Sequence, residues 1–428
     1  MIYIKKGGKT VLFENWNSEK LFLFIAIIVG ALLVVITPPM CTPDENAHFM
    51  NAYSISTGDI FPEVVDGQIG RYVPQKIMDF KNKYTGKYDG KFDEKYDFGT
   101  YYFDGWLIGE HTEDIFYSSP LTLISPVGYT FSAIGMSIGS ILLGGIDHFA
   151  TPYNLLLFGR LFNFTFYLIC IFYAIKITPY FKNTMMTIAL MPMSIYLGAS
   201  VNYDAILIPI SMLLFAIVFK LVFNDKGYII NNKDIAVVLV TSFFLVGIKQ
   251  AYAPFLLLLL AIPIEKFHDK SRYIKLIVLT LIAGVLGFLP TILMKLVSAG
   301  YVDPNLGNIL AQKEFLFGNI AMLPHIILNS FRTFAMFYIP GFFGKLGQID
   351  TNFPLPIIVL FYLALFVIVL IDASIIANKY WKLRVLALTS GFISIVGIFY
   401  TMYINWTCIP EVAGVGVDFV SGVQGRYF

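Results

Sequence analysis

The chain has 428 residues, of which 57% are hydrophobic and only 14% charged, against about 25% charged in soluble domains, so water is not the solvent for most of it. The formal net charge of +2, with Lys and Arg dispersed along the chain, excludes a nucleic-acid partner held by counterion release. Three cysteines, Cys41, Cys170 and Cys408, are an odd number without CxxC spacing and imply neither a disulfide framework nor a thiolate metal site.

In chain order, the first apolar run, Leu21 to Ile36, has the length of a signal sequence. Pro38-Pro39-Met40-Cys41 is not a small-residue cleavage site and further apolar runs follow, so it reads as a retained anchor. A helix crossing the bilayer needs about 20 apolar residues. Nine runs qualify: 20–37, 153–177, 183–200, 203–223, 234–248, 250–265, 273–297, 354–377 and 384–405. With the N-terminus inside, the short cytoplasmic connections hold Lys5, Lys6, Lys9 and Lys20; Lys176 and Lys182; Lys220, Lys226 and Lys233; Lys266, Lys270, Arg272 and Lys275; and Lys379, Lys382 and Arg384. These clusters contain more than half of the 30 basic residues, which sets the orientation by the positive-inside rule. Reading 234–265 as one tilted helix would bury Lys249 and invert every later loop; two short helices meeting at Lys249-Gln250 keep the basic clusters inside.

The outward surface comprises a long first loop, 38–152, a second segment, 298–353, and a third from Trp406 to Phe428. Within the first, the mixed-charge stretch from Lys81 to Lys95 reads as a lobe without assigned chemistry. Residues 121–145 are apolar but broken by Pro126, Gly and Ser, which predicts a helical segment lying in or dipping into the outer leaflet. The chain stops directly after Gln424-Gly-Arg-Tyr-Phe428, and is expected to be truncated there.

The sharpest motif follows the first span: Thr42-Pro43-Asp44-Glu45-Asn46-Ala47-His48-Phe49. Thr42 or Pro43 opens a short helix, so that Asp44, Glu45 and His48 share its first turns. Such a cluster can hold a divalent cation or position a carboxylate as general base, and the two acids can equally be solvated caps. Arg160, in Gly159-Arg160-Leu161, and Lys249 are cations at membrane depth, where a lipid phosphate is one natural partner and a snorkelling or loop charge the plain alternative. Asp204 opens a helix after Asn202-Tyr203, and Arg426 stands beside the flexible Gly425 with Tyr427 and Phe428 as interfacial aromatics. His111, His148, His268 and His325 share no metal-ligand spacing. No GxSxG, Walker-type or Rossmann glycine motif occurs in a strand-to-helix context.

The order of Pro43-Asp44-Glu45-x-x-His48, a long outer loop, Tyr117-Ser-Ser-Pro120, Gly-Arg160-Leu, Asn202-Tyr-Asp204 and Lys249-Gln-Ala-Tyr252 resembles the GT-C superfamily of membrane glycosyltransferases. More narrowly, Pro43-Asp44-Glu45-x-x-His48-Phe49 with the terminal Gln424-Gly-Arg-Tyr-Phe428 resembles a bacterial family of predicted membrane proteins of uncertain function. The resemblance implies an all-α polytopic GT-C-like helical bundle with juxtamembrane helices, in the plasma membrane. It also implies a polyprenyl-phosphate-linked sugar donor, a glycan, lipid or protein acceptor, and inverting transfer outside the cytoplasm. Carried over, it makes Asp44 or Glu45 and Asp204 the family's acids, Lys249 its donor-phosphate cation, and Arg160 its arginine at the start of the second span. Beside these, the residues themselves add His48 to the catalytic candidates, Arg426 to the phosphate-binding cations, and Tyr117, Tyr252, Gln424 and Tyr427 as pocket candidates. A Mg or Mn ion, held by Asp44, Glu45 and His48, stays open. Tyr117-Ser-Ser-Pro120 departs from relatives that carry a charge and a doubled proline there. Two other classes compete: a transporter or flippase of a lipid-linked envelope precursor, and a non-catalytic assembly protein.

Overall fold

A computed structural model describes residues 17–87, 113–143, 151–225, 227–373 and 380–428. Lys5, Lys6, Lys9, Lys226, Lys379, His111 and His148, and the part of the mixed-charge lobe beyond residue 87, lie outside the described residues. The protein is an all-α polytopic membrane protein, with seven helices among the described residues long and apolar enough to cross a membrane.

The first of these, α1 (Ser18–Ile36), stops because Thr37 precedes a proline, which disfavours helical backbone. Thr37 is extended (φ −69°, ψ 119°). A short helix, α2 (Glu45–Ser56), follows at this end of the bundle, then strands β1 (Glu63–Val65) and β2 (Gln68–Pro74), helix α3 (Gln75–Tyr84) and strand β3 (Asp114–Ser118). The three strands form an antiparallel sheet with Arg71 opposite Tyr117, so the lobe that follows α1 is partly β. Its core of Phe49, Tyr53, Val73, Ile77 and Phe80 is continuous with Tyr129 and Leu156 below. Two 3-10 turns, Pro120–Leu123 and Pro126–Tyr129, lead into α4 (Thr130–Leu142), which is too short at 13 residues to cross alone. It lies against α5 (Pro152–Ile177), where added Cβ atoms at Gly135 and Gly139 would come within 3 Å of Phe158 and Phe162.

The single span expected over 183–200 is two short helices, α6 (Lys182–Ala189) and α7 (Pro192–Gly198), broken ahead of Pro192. Helix α8 (Asp204–Phe223) follows, then α9 (Asn232–Ile248) and a 3-10 helix, Gln250–Ala261. At about 2 Å rise per residue the latter covers as much depth as a longer α-helix. Its end returns beside the start of α9, where the Ile230 N–H donates to the Lys266 carbonyl (2.9 Å). Lys249 therefore stands at the tip of a hairpin.

Helices α10 (Lys270–Val297), α11 (Leu306–Gly318), α12 (Leu323–Gly344), α13 (Leu355–Ala373) and α14 (Trp381–Met402) complete the bundle. The segment 298–353 contains, in α12, a helix long and apolar enough to span, where the sequence predicts none. The C-terminal end of α12 is tied to the end of the bundle that carries Asp44: Gln348, in the following hairpin of β4 (Lys345–Leu346) and β5 (Thr351–Asn352), donates to the Met40 and Thr42 carbonyls, while Asn329 within α12 donates to the Asp418 carbonyl. At the opposite end Asp372, closing α13, accepts from the Thr184 N–H and hydroxyl and from Asn183, supplying the first turn of α6 with the acceptor its own chain lacks.

Candidate functional site

The C-terminal end of α1, the N-terminal ends of α5 and α8, the tip at Lys249 and the last residues of the chain converge at one end of the bundle. Asp44 is the N-terminal cap of α2 in the left-handed region (φ 59°), which aspartate tolerates better than most residues. Its side chain caps nothing in its own helix and meets Arg426 instead, Oδ2 lying 3.4 Å from Nη2. On the far side of that guanidinium, Asp204 Oδ2 is 3.7 Å from Nε. Capping of α8 is done by Asn202, whose Oδ1 accepts from the Ala205 N–H (2.8 Å), so the Asp204 carboxylate is released toward Arg426.

The Arg426 side chain is 2% exposed, and its Nε and Nη1 have no hydrogen-bond partner. Burial works against its charge, and Tyr427, Asp204, Tyr203 and Asp44 together more than offset that, holding it protonated. Gly425 places it. A Cβ there would sit 2.2 Å from the Tyr338 carbonyl oxygen and 2.4 Å from the Phe342 nitrogen, so only glycine allows this close approach to α12. The sequence reading of Gly425 as a flexible neighbour is thus replaced by a packing requirement. Lys249 lies half-buried among three rings, 3.7 Å from the centroid of Tyr427 and 5.7 Å from those of Tyr203 and Tyr252. Tyr252 Oη donates to the Tyr427 carbonyl (2.9 Å) and fixes the C-terminal strap.

Below this polar mouth a cavity of about 470 Å³ runs between α6 to α8, the 3-10 helix and α14. Asp204, Arg426 and Tyr427 line one end; Leu207, Met212, Phe215 and Phe219 line the wall provided by α8; Phe181 and Thr184 line the other end. From Asp204 to Phe219, α8 rises about 22 Å, most of the hydrocarbon depth of a leaflet pair.

Arg160 and Glu45 do something different from what the sequence suggests. Both are fully buried and form a two-pronged pair, Nε to Oε1 at 2.9 Å and Nη2 to Oε2 at 2.6 Å. The remaining guanidinium donors go to the Val34, Thr37 and Pro38 carbonyls, and the Val201 N–H donates to Glu45 Oε1. Arg160 therefore satisfies the carbonyls that α1 leaves open at Pro38-Pro39 and ties α1, α2, α5 and the start of α8 together. Its donors are spent on protein acceptors. A donor-phosphate role for Arg160, and a base role for Glu45, are replaced by a structural clasp.

His48 is buried, its Nδ1 2.7 Å from Tyr129 Oη and its ring edge-on to Tyr203 at 5.1 Å. Burial pulls its imidazole down to about 4, with Asp44 opposing and Arg426 assisting, so it is neutral at pH 7. With Glu45 turned to Arg160 and His48 to Tyr129, the Asp44, Glu45 and His48 set left open for a metal is not assembled, and among the described residues no group of three His, Cys, Asp or Glu side chains is placed to hold one. Tyr117 is also absent from the pocket: it pairs within the three-stranded sheet and lies under Lys81 (5.1 Å). Gln424 remains beside the site, its carbonyl accepting from the Tyr427 N–H.

Sequence reasoning missed Asn202 as the cap, Tyr203 as the ring shared by His48 and Lys249, and Gln348 as the clamp on the loop that carries Asp44. Tyr203 adjoins a selected acid and was within reach of a motif argument. Gln348 carries no local signal, being 306 residues from Thr42.

Residues 27–428 match the family model described as Predicted membrane protein (DUF2142), and the chain belongs to that family. No curated protein and no solved structure matches it.

Proposed function

We propose that this member of the DUF2142 family of membrane proteins binds a polyprenyl-phosphate-linked sugar, phosphate at Arg426 and Lys249 and prenyl tail along the cavity, and transfers the sugar to an acceptor hydroxyl outside the cytoplasm. The observation that carries this reading is Arg426: a guanidinium 2% exposed, with two donor nitrogens lacking hydrogen-bond partners, at the polar mouth of an otherwise apolar cavity. A buried charge with unspent donors calls for an anion, and a planar fork suits phosphate oxygens. The apolar wall calls for a tail, and about 470 Å³ is a ligand-sized volume.

The chemistry follows from the acids. Asp44, whose side chain is 56% exposed, takes the proton of the acceptor hydroxyl. The acceptor oxygen bonds to the anomeric carbon from one face. The bond from that carbon to the lipid phosphate oxygen breaks on the other, and its electron pair leaves with the phosphate. A positioned base contributes roughly 10²–10⁴ in rate. Arg426 and Lys249 stabilise the charge that grows on the departing phosphate, where fixed cations in a dry site act most strongly. Asp204 holds the guanidinium in place.

One observation favours a second reading. The cavity extends to Phe181 and Thr184, at the opposite end of the bundle from Asp44, and a translocating lipid would use that depth. Purified protein in liposomes, given a panel of radiolabelled polyprenyl-phosphate sugars, separates the two. Transfer of label to an acceptor, lost in Asp44→Asn and Arg426→Ala, supports the transferase. Passage of intact donor across the bilayer without consumption establishes the transporter and overturns the proposal.

A further inference from the structure

His48 sits where a base or metal ligand is expected, yet its hydrogen bonds point elsewhere. Asn51 Nδ2 has two hydrogens and uses both, one toward the Leu121 carbonyl (2.9 Å) and one toward Tyr129 Oη (3.3 Å). Tyr129 Oη accepts from Asn51, and among the described residues the only acceptor within reach of its own hydrogen is His48 Nδ1, 2.7 Å away, which directs that hydrogen to the ring. Nδ1 is then the acceptor, and the ring proton resides on Nε2. Nε2 has no hydrogen-bond partner among the described residues.

The charges facing the ring come from every element around it: Asp44 and Glu45 from its own helix and cap, Arg426 from the C-terminal strap and Asp204 from α8. The titratable Tyr129 and Tyr203 complete the shell, and Arg71 stands behind Tyr129. Of the charged members of this shell, Asp204 and Arg426 line the cavity, and Asp44 is ion-paired to Arg426.

We propose that Tyr129 and Asn51 lock His48 as the neutral Nε2–H tautomer, and that this N–H donates to a phosphoryl oxygen bound at Arg426, making His48 a positioning residue and not a proton acceptor. The assignment of the acceptor rests on the phosphate reading above; the tautomer does not. A neutral donor beside Arg426 adds a directed hydrogen bond without adding a third cation to a pocket that must also release its product phosphate.

The test uses full-length protein in nanodiscs with 15N-labelled histidine, the His48 signal assigned by its loss in His48→Gln. The expected result is a single neutral Nε2-protonated imidazole that does not titrate between pH 5 and 8, with a mixed-tautomer or titrating ring in Tyr129→Phe. With decaprenyl phosphate as probe, His48→Gln, whose amide N–H replaces Nε2–H, keeps affinity within about threefold, whereas His48→Leu loses about tenfold or more. A ring protonated on Nδ1, or one titrating near the ordinary histidine value, overturns the tautomer lock. Equal loss in His48→Gln and His48→Leu overturns the donor role. If no form binds decaprenyl phosphate, the phosphate reading falls, and the acceptor assigned to Nε2 with it, while the 15N signal still rules on the tautomer.

Discussion

Gly425→Ala offers a quantitative check on how Arg426 is placed. The new Cβ would lie 2.2 Å from the Tyr338 carbonyl oxygen, against about 3.4 Å for ordinary contact, and its other near neighbours are also backbone atoms of α12. Helix backbone cannot swing aside as a side chain does, so the strap must retreat by about 1.2 Å, the difference between those distances. Arg426 moves with it. At an effective dielectric of about 20, unit charges at the present 3.4 and 3.7 Å interact by roughly 5 and 4.5 kcal/mol, and that retreat removes about 1 kcal/mol from each. A phosphate held at similar range loses about the same, which is a five- to tenfold weakening. Fluorescent decaprenyl phosphate titrated into protein in nanodiscs measures this, with Gly341→Ala as internal control. There the added Cβ meets Gly425 at 3.3 Å, a contact that small adjustments absorb, so its effect is expected to be under about twofold. Wild-type affinity in Gly425→Ala, or equal loss in the two variants, refutes the claim that close packing of the strap sets the guanidinium.

Three further outcomes are expected. Arg160→Met leaves Glu45 buried and unpaired and costs about 3–5 kcal/mol in thermal or denaturant unfolding, most of it recovered in Arg160→Met with Glu45→Leu; a well-folded Glu45→Gln that binds donor but does not turn it over would return Glu45 to a catalytic role. Because the His48 ionisation is lowered from 6.5 to about 4, the unfolded chain takes up a proton between those values that the native state refuses. Stability is full above pH 6.5 and falls as acidification approaches pH 4, by about 3 kcal/mol in all, and unfolding of His48→Gln across pH 7 to 4 should lack that component. Ser211→Phe, filling the cavity midway along α8, is expected to weaken decaprenyl phosphate binding at least tenfold while leaving the thermal midpoint within a few degrees, read by the same titration and by calorimetry.

Composition and hydropathy by themselves determined that the chain lives in a membrane. Basic clusters at apolar-run ends, together with the cost of placing Lys249 in hydrocarbon, were enough to argue for a turn at Lys249-Gln250, and a turn is where Lys249 stands. Asp44, Asp204, Lys249 and Arg426 were also legible as site candidates. Each is an ionisable group next to a long apolar run, where an unneeded charge is expensive.

The tertiary structure alone decided how those charges are divided. Arg160 and Arg426 look alike in sequence, an arginine after a glycine and before a bulky residue. One is saturated by Glu45 and three backbone carbonyls of the α1 end, and the other keeps two nitrogens unspent at a cavity mouth. The difference lies in acceptors contributed from more than a hundred residues away, and no local pattern encodes which acceptors a fold will bring to a donor. Hydrophobic periodicity reports the solvent of each helix face; hydrogen-bond saturation is a property of the assembled bundle, and it separates the clasp from the site.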